Sequence, residues 1–504
     1  MAMAMALVAP GLQCGGCAAF VSSSARGRLQ LKKSFARIVL SPSNSRVHCS
    51  VGTETQVQTL WSWAQAQGVQ GESIRPSEVT EGLGLLAQRP VGQGDEILSV
   101  PETVWINLAT VQKSSLGKVT EGLKSWVAIA LFLIHETSNS NSKWRPYLDT
   151  LPKNLDSPLF WSDEELAELQ GTQLLGSVVG YLEFLENEYN KVVEEIMERN
   201  TDLFDPAVFT FDAFRWAFGI LRSRSFAPLT GEELALVPVA DLMNHGVGLD
   251  DKNPSWLKKS SGGQIWNIGK SSSNVLTVRA SANFQSGEQI LMQYGSAKSN
   301  ADLALDYGFV EPNTESQFGG GIERDSLALS LEISPEDRFI DDKADILEIN
   351  GFQCSMQFDL PRGQGPSDEM ITFLRLSALS GPDSFLLEAL FRNEAWGHVS
   401  LPVSRDNEEG ICTSMLEGLR AALDGYSTTI EEDLEILGQE DLSVRKEIAV
   451  VVRLGEKRVM QELQTWFEAR LEELDSLEYY AERRLRNLGL MDDGGYMTPW
   501  VFNE

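Results

Sequence analysis

The chain has 504 residues, 42% of them hydrophobic, enough for two or three domains with buried cores. Its formal net charge is −30, which argues against a nucleic-acid partner, whose phosphates want a basic surface, and suits a basic protein segment as ligand.

The first fifty residues break with this composition. Met1 to Ser50 contains no Asp or Glu, carries six Lys or Arg, and is rich in Ala and Ser, as in Val21-Ser-Ser-Ser-Ala-Arg26. That is the pattern of an organellar transit peptide, and the apolar start, Met1 to Pro10, lacks the charged region that precedes a secretory signal. Cys14 and Cys17 form a C-x-x-C inside this segment, whereas Cys354 and Cys412 stand alone. The chain therefore has no cysteine cluster suited to structural zinc.

After this segment, Val57 to Val69 has the apolar spacing of a short helix. Two strands are predicted next, in Glu81-Gly-Leu-Gly-Leu-Leu-Ala87 and Gly94-Asp-Glu-Ile-Leu-Ser-Val100. Gly94-Asp-Glu-Ile-Leu98 is echoed by Gly287-Glu-Gln-Ile-Leu291, one turn-into-strand device used twice. Glu81-Gly-Leu-Gly84 admits close backbone approach, but it lacks the G-x-G-x-x-G of a dinucleotide-binding unit.

Trp126 to Ile134 is an apolar run shorter than the about 20 residues that span a bilayer, so a buried helix is expected and no membrane span. Ser162-Asp-Glu-Glu165 is a capping box opening another helix. Phe214, Ala217, Phe218 and Leu221 mark one buried face of a helix that ends in Arg222-Ser-Arg224. Gly246 to Asn274 is polar and reads as a surface loop.

Two polar signatures follow. The first is Val237-Pro-Val-Ala-Asp241-Leu-Met-Asn244-His245-Gly246. The second is Gly287-Glu-Gln-Ile-Leu-Met-Gln-Tyr294-Gly, with Lys298-Ser-Asn-Ala-Asp302-Leu-Ala-Leu-Asp306-Tyr307-Gly308-Phe309 behind it. Ser326 to Ile333 alternates as a strand, and Pro335 opens a run of helices that includes a long one from Leu442 towards Leu488. A metal role for His245 finds no support, because the four histidines show no ligand spacing.

Taken together, Asn244-His245, the Gly287-Glu turn, Tyr294 and Tyr307 resemble the SET domain, the lysine methyltransferase fold, in the plastid branch typified by the Rubisco large-subunit methyltransferases. Trp144-Arg-Pro-Tyr147, Leu151-Pro152, Phe385 to Phe391, Trp396-Gly-His398 and Pro402 to Glu408 are similar to the same branch, so the resemblance covers nearly all of the chain after the N-terminal segment. It implies an α+β architecture. A chloroplast transit peptide at 1–50 precedes a SET-domain β-fold at 51–334 with a helical insertion at about 110–225. An all-α substrate-binding domain at 335–490 and a tail at 491–504 follow.

By the same resemblance the cofactor is S-adenosyl-L-methionine, with no metal, and the chain is a stromal protein-lysine N-methyltransferase acting as a monomer. Its expected partner is a folded plastid protein, fructose-bisphosphate aldolase or the Rubisco large subunit. The main-chain atoms of Glu81, Gly82 and Leu83 and the Arg224 guanidinium are expected to hold the cofactor's methionine end. Asn244 and His245 contact its methionine and adenine parts, and Asp241 supports the same pocket. Tyr307, Gly308 and Phe309 line the cofactor and channel wall. Tyr294 is the expected catalytic residue, orienting the amine and the transferring methyl. A tyrosine pKa near 10 argues against its acting as a full base. The alternatives are a catalytically silent SET scaffold, which has no need of Tyr294, Asn244, His245 and Arg224, and a methyltransferase for histidine or histone lysine, which the transit-like start disfavours.

Overall fold

The computed structural model describes residues 4–6, 52–227, 234–247, 249, 256–260, 274–311, 324–439, 441–492 and 494–497. The transit-peptide reading and the Cys14-Cys17 pair fall outside these residues, apart from a strand at Ala4–Ala6. Contacts divide the chain into two compact units. One comprises Leu12–Lys153 and Lys191–Tyr294, and the other Met1–Gly11, Asn154–Asn190 and Gly295–Glu504.

The first unit is a set of small sheets with helices. Strands Ile74–Val79, Gly82–Ala87, Gln289–Met292 and Asn244–His245 lie side by side in that order. The first three are antiparallel, while Asn244–His245 joins Leu291–Met292 in parallel. A second sheet orders Glu96–Pro101, Asn274–Arg279 and Trp256–Ser260. Trp256–Ser260 lies within the stretch expected to be a surface loop, and it pairs with Asn274 to Val278 in antiparallel register. A third sheet joins Ile106–Asn107, Ala235–Leu236 and Ser225–Phe226. The repeated turn device is real, with Gly94 and Gly287 at φ of 86° and 88°.

Helix Ser125–Ser138 buries every residue from Val127 to Ile134, as a helix apolar on all sides must. No described helix is long and apolar enough to cross a membrane. Helix Phe211–Arg224 buries Phe214, Ala217, Phe218 and Leu221, and Thr210 caps it by accepting from the Ala213 N–H. The apolar i, i+3, i+4, i+7 face thus aims the C-terminal arginines at the end of the helix.

In the second unit, the run of helices expected from Pro335 is interrupted by strand Ser355–Pro361, which pairs along its length with Ser326–Glu332. Phe358 and Leu360 are buried while Gln357 and Asp359 are exposed, a period of two that marks a half-buried strand. The long helix spans Val444–Glu472, shorter than expected, and a separate helix Tyr480–Asn487 follows it. Ile448, Val452, Val459, Leu463 and Phe467 of the long helix are buried. The capping box at Ser162 is formed, with Glu165 reciprocating.

This unit also buries charge. Asp433, fully enclosed, meets Arg453 Nε at 2.7 Å and Lys457 Nζ at 2.5 Å. Glu456 accepts from the Tyr426 hydroxyl at 2.6 Å and from the Gln173 N–H at 3.1 Å. It thereby ties the first turn of helix Gln173–Val192 to the long helix. Burial pushes the Glu456 carboxyl up from 4.5 to about 7, against the Tyr426 and backbone hydrogen bonds that favour its charged form. Its folded pKa lies above its unfolded one, so its contribution to stability is complete below about 4.5 and is lost as pH rises through about 7. Denaturant titrations from pH 5 to 8 should show this fall in the unmodified chain and a flatter profile in Glu456→Gln.

Candidate active site

Strand Asn244–His245 fixes the first polar signature beside the second. The Asn244 Nδ2 donates to the Leu83 carbonyl at 3.1 Å, so the side chain of one signature holds the Glu81-Gly-Leu turn. Gly84 is required at the contact, because a Cβ there would lie 2.7 Å from Gln289 Oε1 and 2.9 Å from Val79 Cγ2. Around Gly82, by contrast, no atom lies within 4 Å of where a Cβ would be. The turn therefore presents open main chain next to Asn244, a surface that a ligand can approach closely.

Tyr294 is held twice by the Met243-to-His245 segment. Its N–H donates to His245 Nδ1 at 3.2 Å, and its hydroxyl donates to the Met243 carbonyl at 2.8 Å. The first bond makes Nδ1 an acceptor, which places the proton of the neutral imidazole on Nε2. The two rings lie 5.2 Å apart. Burial, the dominant cause, pushes the Tyr294 hydroxyl up to about 12. The group is thus protonated throughout the neutral range, and it donates to Met243 while its oxygen lone pairs remain acceptors.

Arg224 and Asp241 form the charged part of the site. Arg224 Nη1 donates to the Asp241 carbonyl at 3.2 Å and lies 3.5 Å from Asp241 Oδ2. The Asp241 side chain is completely enclosed and that of Arg224 largely so. Burial raises the Asp241 carboxyl, and Arg224 and the Tyr147 hydroxyl oppose the shift. The Asp241 Oδ1 is enclosed without a hydrogen-bond partner among the described residues, a donor-seeking atom. Just before it, Val239 adopts φ 73°, ψ −44°. A β-branched residue there is a backbone outlier, and such strain concentrates at sites whose geometry is fixed by their surroundings.

Glu81, Gly82, Leu83, Arg224, Asp241, Asn244, His245 and Tyr294 thus belong to one unit. Tyr307, Gly308 and Phe309 belong to the other. There, Ser299 and Asp302 form a capping box that opens helix Asn300–Tyr307, and Gly308 closes it at φ 78°. A Cβ at Gly308 would come within 2.6 Å of the Ser157 main-chain nitrogen, so glycine is required for both conformation and space. The Tyr307 and Phe309 rings lie 5.9 Å apart.

Sequence reasoning gave no role to Tyr147, Met243 or Arg324. Tyr147 donates to Asp241 Oδ2 at 2.8 Å. Arg324, 2% exposed, donates from Nη1 to the carbonyls of Gly295, Ser296 and Lys298 and pairs with Glu311. The Trp144-Arg-Pro-Tyr147 motif was legible in the sequence, but the partner of its tyrosine, 94 residues away, was not. Among the described residues no group of three or more His, Cys, Asp or Glu is placed to hold a metal ion.

An open main-chain turn and a guanidinium suit the carboxylate end of an amino-acid-bearing ligand. A family model for the Rubisco LSMT substrate-binding domain matches residues 334–460. The chain is 45% identical to the chloroplastic ribulose-1,5-bisphosphate carboxylase/oxygenase large subunit N-methyltransferase of Nicotiana tabacum, over 88% of each chain. It is 46% identical to the chloroplastic fructose-bisphosphate aldolase-lysine N-methyltransferase of Arabidopsis thaliana, over 88% of this chain and 89% of that one. A crystal structure of the SET domain of LSMT bound to lysine and AdoHcy aligns with a TM-score of 0.79 at 44% identity, covering 88% of this chain and 98% of that one.

Proposed function

The chain belongs to the chloroplast SET-domain protein-lysine N-methyltransferases of the Rubisco large-subunit type, and from that membership we propose that it methylates a lysine of fructose-bisphosphate aldolase, the Rubisco large subunit, or both. The observation that carries the chemistry is the Tyr294 hydroxyl, pinned at 2.8 Å to the Met243 carbonyl beside the Asn244–His245 strand. S-adenosylmethionine, when bound, supplies a methyl group made electrophilic by its sulfonium.

Arg224 offers a guanidinium to the cofactor's carboxylate, a role suited to its fork of donors. The Glu81 to Leu83 main chain, braced by Asn244, receives the rest of the methionine end. The acceptor must be a neutral amine, although free lysine has a pKa near 10.4, and desolvation favours loss of its proton to water. Tyr294, already donating to Met243, accepts from the amine N–H and turns the nitrogen lone pair towards the methyl group. Positioning of this kind supplies about 7–11 kcal/mol of barrier reduction in favourable cases.

In this reading the reaction is carried by residues 51–334, with the helical insertion at about 110–225. Residues 335–490 recognise a folded substrate, residues 491–504 form a tail, and 1–50 direct the chain to the stroma. The match of 334–460 to a substrate-binding family supports the division. The test is incubation of the purified chain with labelled S-adenosylmethionine and, separately, plastid aldolase and Rubisco, followed by identification of the labelled residue. Label on neither protein overturns the proposed substrates, and label on histidine overturns the acceptor.

Recognition by 335–490 has its own expected outcome. Leu390 and Leu401 are large apolar side chains with exposures of 85% and 51%. Leu390→Ser with Leu401→Ser should raise KM for the whole protein substrate about threefold or more while sparing kcat and activity on a short lysine peptide, because remote contacts position a substrate without reacting. Equal losses on protein and peptide would assign the domain to the integrity of the fold.

A further inference from the structure

We propose that Tyr147 is a positioning residue for the reaction, its buried hydroxyl holding Asp241 so that the Arg224 guanidinium stays available to the cofactor. The inference rests on the reading of Arg224 as the holder of the cofactor's carboxylate.

Tyr147 is 0% exposed, and a phenylalanine would fill the same space, so packing alone does not call for the hydroxyl. A buried hydroxyl requires a partner, and this one donates at 2.8 Å to Asp241 Oδ2. The platform beneath it is rigid. Trp144 Nε1 donates to the Val104 carbonyl at 3.0 Å. Arg145 Nη2 donates to the carbonyls of Glu136, Thr137 and Asn139 at 3.0, 2.9 and 2.6 Å, closing the end of helix Ser125–Ser138. Thus Trp144 and Arg145 anchor the segment, and Tyr147 reaches from it to the site.

The geometry at Asp241 shows what the hydroxyl does. Oδ1 has no hydrogen-bond partner among the described residues, so Oδ2 carries both the tyrosine bond and the contact with Arg224 at 3.5 Å. That distance exceeds the about 2.7–2.9 Å of a closed, charge-assisted bond. Tyr147 therefore holds the carboxylate on its own side, and the ion pair stays open. Arg224 is instead aligned by the 3.2 Å bond of its Nη1 to the Asp241 carbonyl, with its charge balanced by the carboxylate. Without the hydroxyl, Asp241 either closes onto Arg224 or takes up a proton. Closure removes the guanidinium from the ligand. Protonation leaves a cation without its counter-charge and removes a negative group from beside a ligand that carries both an ammonium and a sulfonium.

Among the described residues, the charged and titratable groups facing Asp241 are Arg224, Tyr147 and Tyr294. The Tyr147 bond favours the charged form of Asp241, so its loss moves the protonation of Asp241 to higher pH.

The experiment is calorimetric titration of the full chain with S-adenosylmethionine between pH 5.5 and 8.5, for the unmodified protein, Tyr147→Phe, Asp241→Asn, the double variant and Arg224→Ala. Tyr147→Phe should weaken binding about three- to tenfold, within the range expected for the loss of one ordinary intramolecular hydrogen bond. The acid-side fall in affinity should move upward in pH, and binding should suffer more than kcat. Asp241→Asn should reproduce the loss, and the double variant should be no worse than either single one. A merely structural role would lower Tm without moving the pH profile, and that result overturns the proposal. If Arg224→Ala loses binding while Tyr147→Phe binds normally, the inference falls and the reading of Arg224 stands. If Arg224→Ala binds normally, both fall. Should Tyr147→Phe not fold, the pH profile of Asp241→Asn decides: loss of the acid-side transition supports the proposal, and its persistence overturns it.

Discussion

Tyr294→Phe should lose methyl transfer by about 10²-fold or more, the cost of misplacing reacting groups, while S-adenosylmethionine affinity changes little. The substitution keeps the ring 5.2 Å from the imidazole of His245 and the N–H bond to His245 Nδ1, which belongs to the main chain. It removes the hydroxyl, and with it the bond to the Met243 carbonyl. Losing that bond also costs about 1–3 kcal/mol if the carbonyl finds no other donor, so Tm is the control for general loosening. Because the hydroxyl is pushed up to about 12 by burial, its ionisation cannot shape the rate at neutral pH. The rate should rise with pH as the substrate amine loses its proton, and Tyr294→Phe should lower the whole curve without changing its form. Transfer at the unmodified rate would remove Tyr294 from the mechanism. A change in the pH profile would mean that it titrates.

Arg324→Met should be among the most destabilising single substitutions, by roughly 3–5 kcal/mol, the cost of breaking a buried ion pair from one side. Arg324 and Glu311 are 2% and 4% exposed, and methionine would take the Arg324 cation from the carboxylate and this donor from the carbonyls of Gly295, Ser296 and Lys298. A buried carboxylate without its cation is easier to protonate. The variant should therefore recover part of its stability as pH falls, a trend readable in the midpoint of chemical denaturation. The freed loop begins one residue after Tyr294, so kcat should fall as well. A midpoint within error of the unmodified protein would mean that water replaces the guanidinium at no cost.

Much of the fold was legible because its signals are local. The capping box at Ser162 involves residues three apart, and the buried faces of Phe211–Arg224 and Val444–Glu472 repeat within two turns. The strand Ser355–Pro361 carries the alternation Met356-Gln-Phe358-Asp-Leu360, but it is a short segment between helices, and its pairing with Ser326–Glu332 is decided only in the folded chain. The Trp256–Ser260 strand was missed because its Lys-Lys-Ser end reads as polar loop, while pairing with Asn274–Arg279 gives its main chain partners.

By itself the sequence offered the candidate site residues of this protein, Asn244-His245, Tyr294, Arg224 and the Glu81-Gly-Leu turn, and it did so through the resemblance to a family rather than through their own spacing. Only the tertiary structure decided how these are held. The Tyr147 hydroxyl reaches Asp241 across 94 residues, Asn244 braces Leu83 across 161, and the parallel pairing of Asn244–His245 with Leu291–Met292 places Tyr294 over the Met243 carbonyl. A side chain announces its chemistry wherever it stands in a chain. Its orientation, its hydrogen-bond partner and the pKa that burial imposes exist only once distant segments close around it and exclude water.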